Sequence, residues 1–144
     1  MALLSEQDRQ TVAKHLSVIT QPVTLLFFTQ TIGAPDTVLI AKQVLDELAS
    51  LSDLITVEEV NLVLDKDRAA GYGVETVPAI VVLRGNEDTG MRFLGAPAGY
   101  EFMSLIEAAI LAGTGDSGLT PESKTLIAEQ VTGPLDIRVF VTPT

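Results

Sequence analysis

The chain of 144 residues contains no cysteine, no tryptophan and one histidine. Without cysteine it can build no thiolate nucleophile, no disulfide, no thiolate zinc site and no iron–sulfur cluster. A single histidine also excludes a multi-histidine metal site. That residue, His15, lies beside the apolar stripe of a predicted first helix, where a partly exposed side chain is its ordinary role, so we assign it no function.

Positive charge and long apolar runs are also scarce. The net charge is −10 and the pI is about 4.3, so the chain repels phosphate backbones and anionic lipid, and we expect neither nucleic acid nor membrane as a partner. The longest apolar run, Val77 to Leu83, falls short of the roughly 18 residues that a spanning helix needs. No cationic start followed by an apolar stretch marks the N-terminus. These features predict a cytoplasmic protein.

Apolar residues are nevertheless abundant. They make up 47% of the chain, and the mean hydropathy is +0.35. An apolar face that a neighbour covers would explain this value, and so would a large core. The composition alone leaves both explanations open.

Periodicity and turn residues predict a mixed α/β order. Val23 to Phe28 is almost wholly apolar, as expected for a strand that is buried on both faces. Before this strand we predict a helix from Ser5 to about Ile19. After it we predict the turn Gly33–Asp36, a helix with a buried stripe at Ala41, Val44, Leu45 and Leu48, a strand Ile55–Leu62 and a short helix from Asp65 to 71–73. The second half is predicted to contain strands Ala79–Arg84 and Met91–Leu94 around a polar turn Gly85–Gly90, a helix carrying Phe102, Leu105, Ile106, Ala109 and Ile110, a loop Gly113–Leu119, and a last helix from Thr120 and Pro121 to about Val131.

Several short motifs carry no function. Gly113 to Gly118 matches both G-x-G-x-x-G and Gly-Asp-Ser-Gly, but it follows a helix rather than a strand and has no histidine partner, so a flexible linker is predicted. Glu58 and Glu59 should point to opposite faces of a strand and make a poor acid/base pair. The acids of 65–67 and 87–88 are typical of solvated caps and turns rather than cation sites.

One segment resembles the thioredoxin fold. Tyr72-Gly73-Val74-Glu75-Thr76-Val77-Pro78-Ala79 and the apolar residues to Leu83 are similar to the part of that fold in which a helix is followed by a Val–Pro bond and a hairpin. The resemblance implies a cis Val77–Pro78 bond and leaves the backbone before the proline free to pair with an extended peptide or thiol ligand. Thr76, Val77 and Pro78 are therefore the candidate binding residues. No catalytic, cofactor or metal residue is predicted.

A second segment narrows the resemblance. Residues Arg92 to Phe102 are similar to the hairpin exit and helix start in the first of two fused thioredoxin-like units. Two groups carry such a pair: the glutaredoxin-like protein disulfide oxidoreductases and the N-terminal region of the alkyl hydroperoxide reductase flavoprotein. The implied fold is a thioredoxin-like α/β fold, with a central four-stranded mixed sheet flanked by helices, an extra C-terminal helix and a final unpaired strand.

The last residues nearly repeat an earlier stretch. Pro134 to Thr144 can be laid over Pro22 to Thr31 with one residue of slip, and a repeat at the spacing of a small domain suggests tandem domains. Val139 to Thr144 also resembles the strand that leads into the second unit's C-x-x-C. We therefore expect residues 1–131 to form a thioredoxin-like domain, and residues 132–144 to be a linker and the first strand of a second domain.

The departure from the family pattern is informative. A redox-active thioredoxin fold places its cysteine pair where the first strand turns into a helix, because the helix N-terminus lowers the pKa of the attacking thiol. Here that position reads Thr29 to Asp36 and holds no thiol. The hydroxyls of Thr29, Thr31 and Thr37 have no adjoining base and fit capping and turn roles. In the flavoprotein family the first unit likewise lacks its cysteines, which favours that resemblance.

Three functions follow as hypotheses. The first is a redox-inactive scaffold or docking domain of a disulfide oxidoreductase whose active C-x-x-C lies after Thr144. The second is an autonomous module that binds an extended peptide or glutathione beside Pro78, and the third is a cysteine-free enzyme such as half of a glutathione transferase. The resemblance implies an adjacent C-terminal thioredoxin-like domain as partner, a thioredoxin- or peroxiredoxin-type substrate of the parent, and a parent that is compatible with FAD and NAD(P)H.

Overall fold

The computed structural model describes residues 3–142. They form a central sheet of four strands in the order β2-β1-β3-β4, with β1 parallel to β2 and antiparallel to β3, and β3 antiparallel to β4. In chain order the elements are α1 (Glu6–Leu16), β1 (Val23–Thr29), α2 (Thr37–Ala49), β2 (Ile55–Asn61), α3 (Lys66–Gly71), β3 (Ala79–Arg84), β4 (Glu87–Leu94), α4 (Glu101–Thr114) and α5 (Pro121–Gln130). The predicted thioredoxin-like α/β fold is confirmed.

Strand β1 lies at the centre because its side chains are apolar on both faces. Leu25 and Phe27 enter a large core beneath α1, α2 and α4, while Leu26 and Phe28 enter a smaller core on the face that carries α3. Successive side chains of a strand point to opposite faces, so one apolar hexapeptide serves both cores. Within residues 3–142 no polar or charged side chain is buried.

Helices α1 and α5 begin at side-chain caps. The Ser5 hydroxyl accepts a hydrogen bond from the Asp8 backbone N–H, and the Thr120 hydroxyl accepts one from Ser123 with Pro121 in the first turn, as predicted. Helix α1 ends at Leu16 rather than Ile19, although Ile19 is still buried in the large core. The apolar stripe continues past the helix, which is why periodicity overran its end.

The hairpin differs from the prediction. The expected polar turn 85–90 is only Gly85-Asn86, and β4 begins at Glu87. The register shifts between Val81 and Leu83, and the Thr89 hydroxyl donates to the Val82 carbonyl at 2.6 Å. This bulge accommodates polar residues within the strand, so the prediction of a turn over residues 87–90 is wrong.

The loop predicted to start at Gly113 is also partly wrong. Gly113 and Thr114 complete α4, and Gly113 is buried, with its carbonyl accepting from the backbone N–H groups of Thr20 and Gln21. A Cβ on Gly113 would stand 2.4 Å from Cγ2 of Ile19. Glycine is required here for close packing of two segments rather than for flexibility.

Residues 132–142 form neither helix nor strand and are exposed. The strand expected over Leu135–Thr144 is not paired with the described sheet, and its last two positions lie outside the described residues. The division into residues 1–131 and a second unit from 132 remains a prediction.

Candidate functional site

The candidate site lies at the end of the sheet where β1, β2 and β4 finish and β3 begins. Phe28 pairs with Ala79, which in turn pairs with Leu94, and Thr29 lies opposite Asn61. The loops 30–36, 62–65, 72–78 and 95–100 therefore meet at this end. Ligands of open α/β sheets bind at the carboxyl ends of parallel strands.

The predicted residues Thr76, Val77 and Pro78 meet here in the loop before β3. The Val77–Pro78 peptide bond is cis, and the Pro78 carbonyl accepts from the Gly95 N–H at 2.9 Å. Pro78 is buried, and Val77 packs against both cores. Thr76 is exposed, and within residues 3–142 no hydrogen bond involves the backbone of Thr76 or Val77. These unpaired groups can hydrogen bond to the backbone of an extended ligand.

The loop 72–78 is held at its start by an aromatic and a cationic contact. The Tyr72 ring meets Phe28 edge to face at 6.2 Å, and the Arg92 guanidinium lies 5.8 Å from the centre of the Tyr72 ring. Arg92 also donates to the Tyr72 carbonyl and makes a bidentate ion pair with Asp88. The bidentate bond fixes the guanidinium plane, so β4 anchors the loop that leads to Pro78.

The loop from Thr29 to Asp36 stands where a redox-active relative of this fold carries its cysteines. Thr31 and Ile32 are exposed, Gly33 adopts φ +70°, and α2 begins at Thr37. The chain has no thiol to place there, and no side-chain hydrogen bond within residues 3–142 involves the hydroxyls of Thr29, Thr31 or Thr37. The loop therefore contributes threonine hydroxyls and backbone groups to this end of the sheet, and it holds no thiol.

Strong local electrostatics occur elsewhere. Hydrogen bonding by Arg68 lowers the pKa of Glu58, and hydrogen bonding by Glu59 raises the pKa of Lys42. Both acids lie on β2 but pair with different helices, α3 and α2, as expected for side chains on opposite faces. Neither pair belongs to the loops of the site, and no group of three or more potential metal ligands occurs within residues 3–142.

The remaining motifs keep structural roles. His15 is exposed on the last turn of α1. Asp65 precedes α3 without a side-chain capping bond, and Asp88 pairs with Arg92. Gly115 ends α4 in the left-handed conformation, and Asp116 pairs with Lys124. Within residues 3–142, no helix is long and apolar enough to cross a membrane.

The fold, together with a strand–helix turn that holds no cysteine, defines a class: a thioredoxin-like domain without redox cysteines. Comparison with known proteins gives the particular relatives. No family model matches the chain. It is 32% identical over 120 residues to the alkyl hydroperoxide reductase AhpF of Staphylococcus epidermidis, covering 81% of this chain and 20% of the relative. It is 38% identical over 86 residues to a protein named NADH dehydrogenase of Ferdinandcohnia aciditolerans, covering 60% of this chain and 14% of the relative.

Solved structures agree. The alkyl hydroperoxide reductase AhpF of Enterococcus faecalis superposes with a TM-score of 0.79 at 30% identity, covering 86% of this chain and 59% of that one. A protein disulfide oxidoreductase of Aeropyrum pernix has a TM-score of 0.73 at 24% identity, over 85% of this chain and 53% of that one, which shows a shared fold. The homologues and structural neighbours thus include AhpF N-terminal domains and thioredoxin-like disulfide oxidoreductases, which confirms the resemblance. The chain spans about a seventh to a fifth of its curated relatives' length.

Proposed function

We propose that this chain is a redox-inactive thioredoxin-like docking domain of a disulfide reductase. The observation that carries the proposal is the turn between β1 and α2, which connects the same strand and helix as a thioredoxin-fold redox site but holds no thiol between Thr29 and Asp36. In this proposal the active C-x-x-C belongs to a second thioredoxin-like unit that starts with residues 132–144. The domain packs against that unit and shapes the approach of its substrate.

The wider setting is part of the same proposal. The parent would be a cytoplasmic flavoprotein that uses FAD and NAD(P)H, with a thioredoxin- or peroxiredoxin-type protein as its substrate. The AhpF relatives support a flavin-containing parent. Within residues 3–142 we assign no residue to flavin or nicotinamide binding.

A second candidate is an autonomous module that binds an extended peptide or glutathione beside Pro78. The specific observation in its favour is the unpaired backbone of Thr76 and Val77. A docking domain and a free module differ in what they bind: the first binds its C-terminal neighbour, and the second binds peptide or glutathione alone.

Insulin reduction with dithiothreitol tests the inactive role. We expect turnover at the uncatalysed rate, because disulfide exchange requires an attacking thiolate. A thioredoxin of ordinary activity serves as the positive control. Turnover above the uncatalysed rate would contradict the proposal.

A longer chain tests the docking role. Extension past Thr144 through the predicted second unit should raise the melting temperature of the present domain, because the exposed apolar residues of 132–142 gain a sheet. The isolated second unit should bind the chain ending at Thr144, as measured by calorimetry. If extension changes nothing and the second unit does not bind, the docking role fails and residues 135–144 are a tail.

A further inference from the structure

Helix α5 repeats the pattern of helix α1. Both helices begin at a hydroxyl cap, Ser5 and Thr120, which accepts a hydrogen bond from the backbone N–H three residues later. Aligned at these caps, the two segments run without a gap to the end of each helix. The alignment pairs residues of like kind: Leu4 with Leu119, Arg9 with Lys124, Val12 with Ile127, Ala13 with Ala128, Leu16 with Val131 and Ser17 with Thr132.

The repeat continues into the segment that follows each helix. Pro22 and Pro134 come next, and each is followed by an apolar run. The loop before the proline is shorter in the second copy, where only Gly133 separates Thr132 from Pro134. A capped helix, a proline and an apolar run therefore recur in the same order. The second copy covers the whole of α1 and β1 rather than β1 alone, and such repeats mark duplicated structural units.

In the first copy the shared apolar positions are core positions. Val12 and Leu16 lie one turn apart on the same face of α1, and they are 9% and 2% exposed in the large core. Leu4 packs against the same core. Thr11, the neighbour of Val12, is exposed. Position within the repeat thus determines which side chains meet the sheet.

In the second copy the same positions are uncovered. Ile127, Val131 and Leu119 are 48%, 38% and 46% exposed, and no residue of α5 is buried within the described range. The segment from Gly115 to Gly118 that joins α4 to α5 is exposed, and both of its glycines have positive φ. Since Gly113 is the last buried residue, α5 lies beyond both cores and carries an apolar face of the kind that α1 buries.

From these observations we propose that the face formed by Leu119, Ile127 and Val131 packs against the sheet of a second thioredoxin-like unit, in the position that α1 takes in the first. The surface that it meets is built from apolar side chains of strands, as is the core beneath α1. The second unit then begins at Leu119 rather than at residue 132, and residues 115–118 are the linker. The inference rests on the second unit of the proposed function, but it does not require that the first unit be redox-inactive.

The repeat makes an assignment that exposure alone does not make. Leu126 is 59% exposed, more than Ile127, but it aligns with the exposed Thr11. A general apolar contact would involve Leu126 first, because it has more surface to remove from water. The proposed packing buries Ile127 and leaves Leu126 on the outside of the second unit.

Hydrogen exchange measured by mass spectrometry tests this packing. The two samples are the chain ending at Thr144 and the same chain extended through the second unit. In the shorter chain the amides of α5 should exchange within about tenfold of the unstructured rate, because an unpacked short helix is marginal in water. In the extended chain they should exchange at least about 100-fold more slowly.

Matched variants of the extended chain locate the packed face. Ile127→Ser should reduce the protection of α5 at least about tenfold, because it removes a core side chain. Leu126→Ser should reduce it less than about threefold, because it changes a surface side chain. A third variant, the shorter chain truncated after Gly118, should keep its melting temperature within about 2 °C, since both cores end by Gly113.

Three results would overturn the inference: equal losses of protection in Ile127→Ser and Leu126→Ser, strong protection of α5 in the chain ending at Thr144, or a lower melting temperature after truncation at Gly118. If the extension raises the melting temperature of the first unit but leaves α5 unprotected, this inference fails while the docking role stands. Insulin reduction above the uncatalysed rate contradicts the inactive role and leaves the packing of α5 unaffected.

Discussion

Residues 3–119 and residues 120–142 differ in how far they bury their apolar side chains. In the first region the sheet and four helices bury two continuous cores, and the last buried residue is Gly113. In the second region no residue of α5 is buried, and Leu126 and Phe140 are 59% and 90% exposed. Both regions have sound local signals, since α5 has a capping threonine and a first-turn proline. Local signals therefore specify an element, but only tertiary burial stabilises it.

The lack of buried residues also affects the stability of α5. A helix of ten residues is marginal in water without tertiary contacts, because nucleation is costly and short helices gain too few hydrogen bonds to offset it. We expect α5 to be the least stable helix of the described chain. Contact with a neighbouring unit would stabilise it.

The largest expected effect separates the two regions by one substitution in each. Leu105→Ala removes a fully buried side chain of α4 and should lower the free energy of unfolding by about 2 to 5 kcal/mol. Ile127→Ala removes a 48% exposed side chain of α5 and should change it by less than about 0.5 kcal/mol. Urea denaturation measures both. Equal losses of unfolding free energy in the two variants would mean that α5 packs against residues 3–119.

The next prediction concerns the close contact between Gly113, at the end of α4, and Ile19. Gly113→Ala places a Cβ 2.4 Å from Cγ2 of Ile19, so the two segments must separate, at a cost of about 1 to 3 kcal/mol. Gly71→Ala is the matched control, because no atom lies within 4 Å of its Cβ position and alanine favours a helix by about 0.5 to 1 kcal/mol. Thermal unfolding of the two variants should shift in opposite directions. A stable Gly113→Ala variant would refute the packing role.

The smallest effect compares two aspartates of similar chemistry. Hydrogen bonding by Arg92 lowers the pKa of Asp88, and hydrogen bonding by Arg138 lowers the pKa of Asp136. Asp88 joins the hairpin to the Tyr72 loop through Arg92, whereas Asp136 pairs two residues along an exposed tail, a contact that is also available to the unfolded chain. Only the Asp88–Arg92 pair should make the free energy of unfolding depend on pH.

The sign follows from the depressed folded-state pKa. The Asp88 pair stabilises the fold above the ordinary pKa of 3.8 and loses that contribution as pH falls through the lower folded value. Asp88→Asn should therefore cost about 0.5 kcal/mol or less at neutral pH, since the pair is partly exposed, and the cost should vanish at the most acidic pH. Asp136→Asn should leave the pH profile unchanged. Denaturation curves between pH 2 and 7, roughly, measure this.

Much of the fold could be predicted from the sequence because its signals are local. The apolar run of β1, the stripe of α2 and the cap of α5 depend on neighbouring residues and were confirmed. The errors came from contacts that the neighbouring sequence does not reveal. Nothing near Gly113 in the sequence reveals that Ile19 will press on it, and the polar residues of 87–90 look like a loop until Val82 is placed opposite Thr89.

The site was only half predictable for the same reason. Thr76, Val77 and Pro78 follow one another, and the sequence marked them as a group. The loops 30–36, 62–65 and 95–100, which meet the loop before Pro78, lie far apart in the sequence, so sequence proximity could not bring them together. The signal that could have found this end of the sheet is the position of each loop directly after a predicted strand.

The bulge of β4 has a consequence for how this protein can meet others. Sheet edges invite pairing with foreign strands, and natural proteins discourage this with bulges and charges. Edge strand β4 carries the bulge opposite Val82 and the Asp88–Arg92 pair, and edge strand β2 carries Glu58 and Glu59. Lateral growth of the sheet is thus discouraged on both sides.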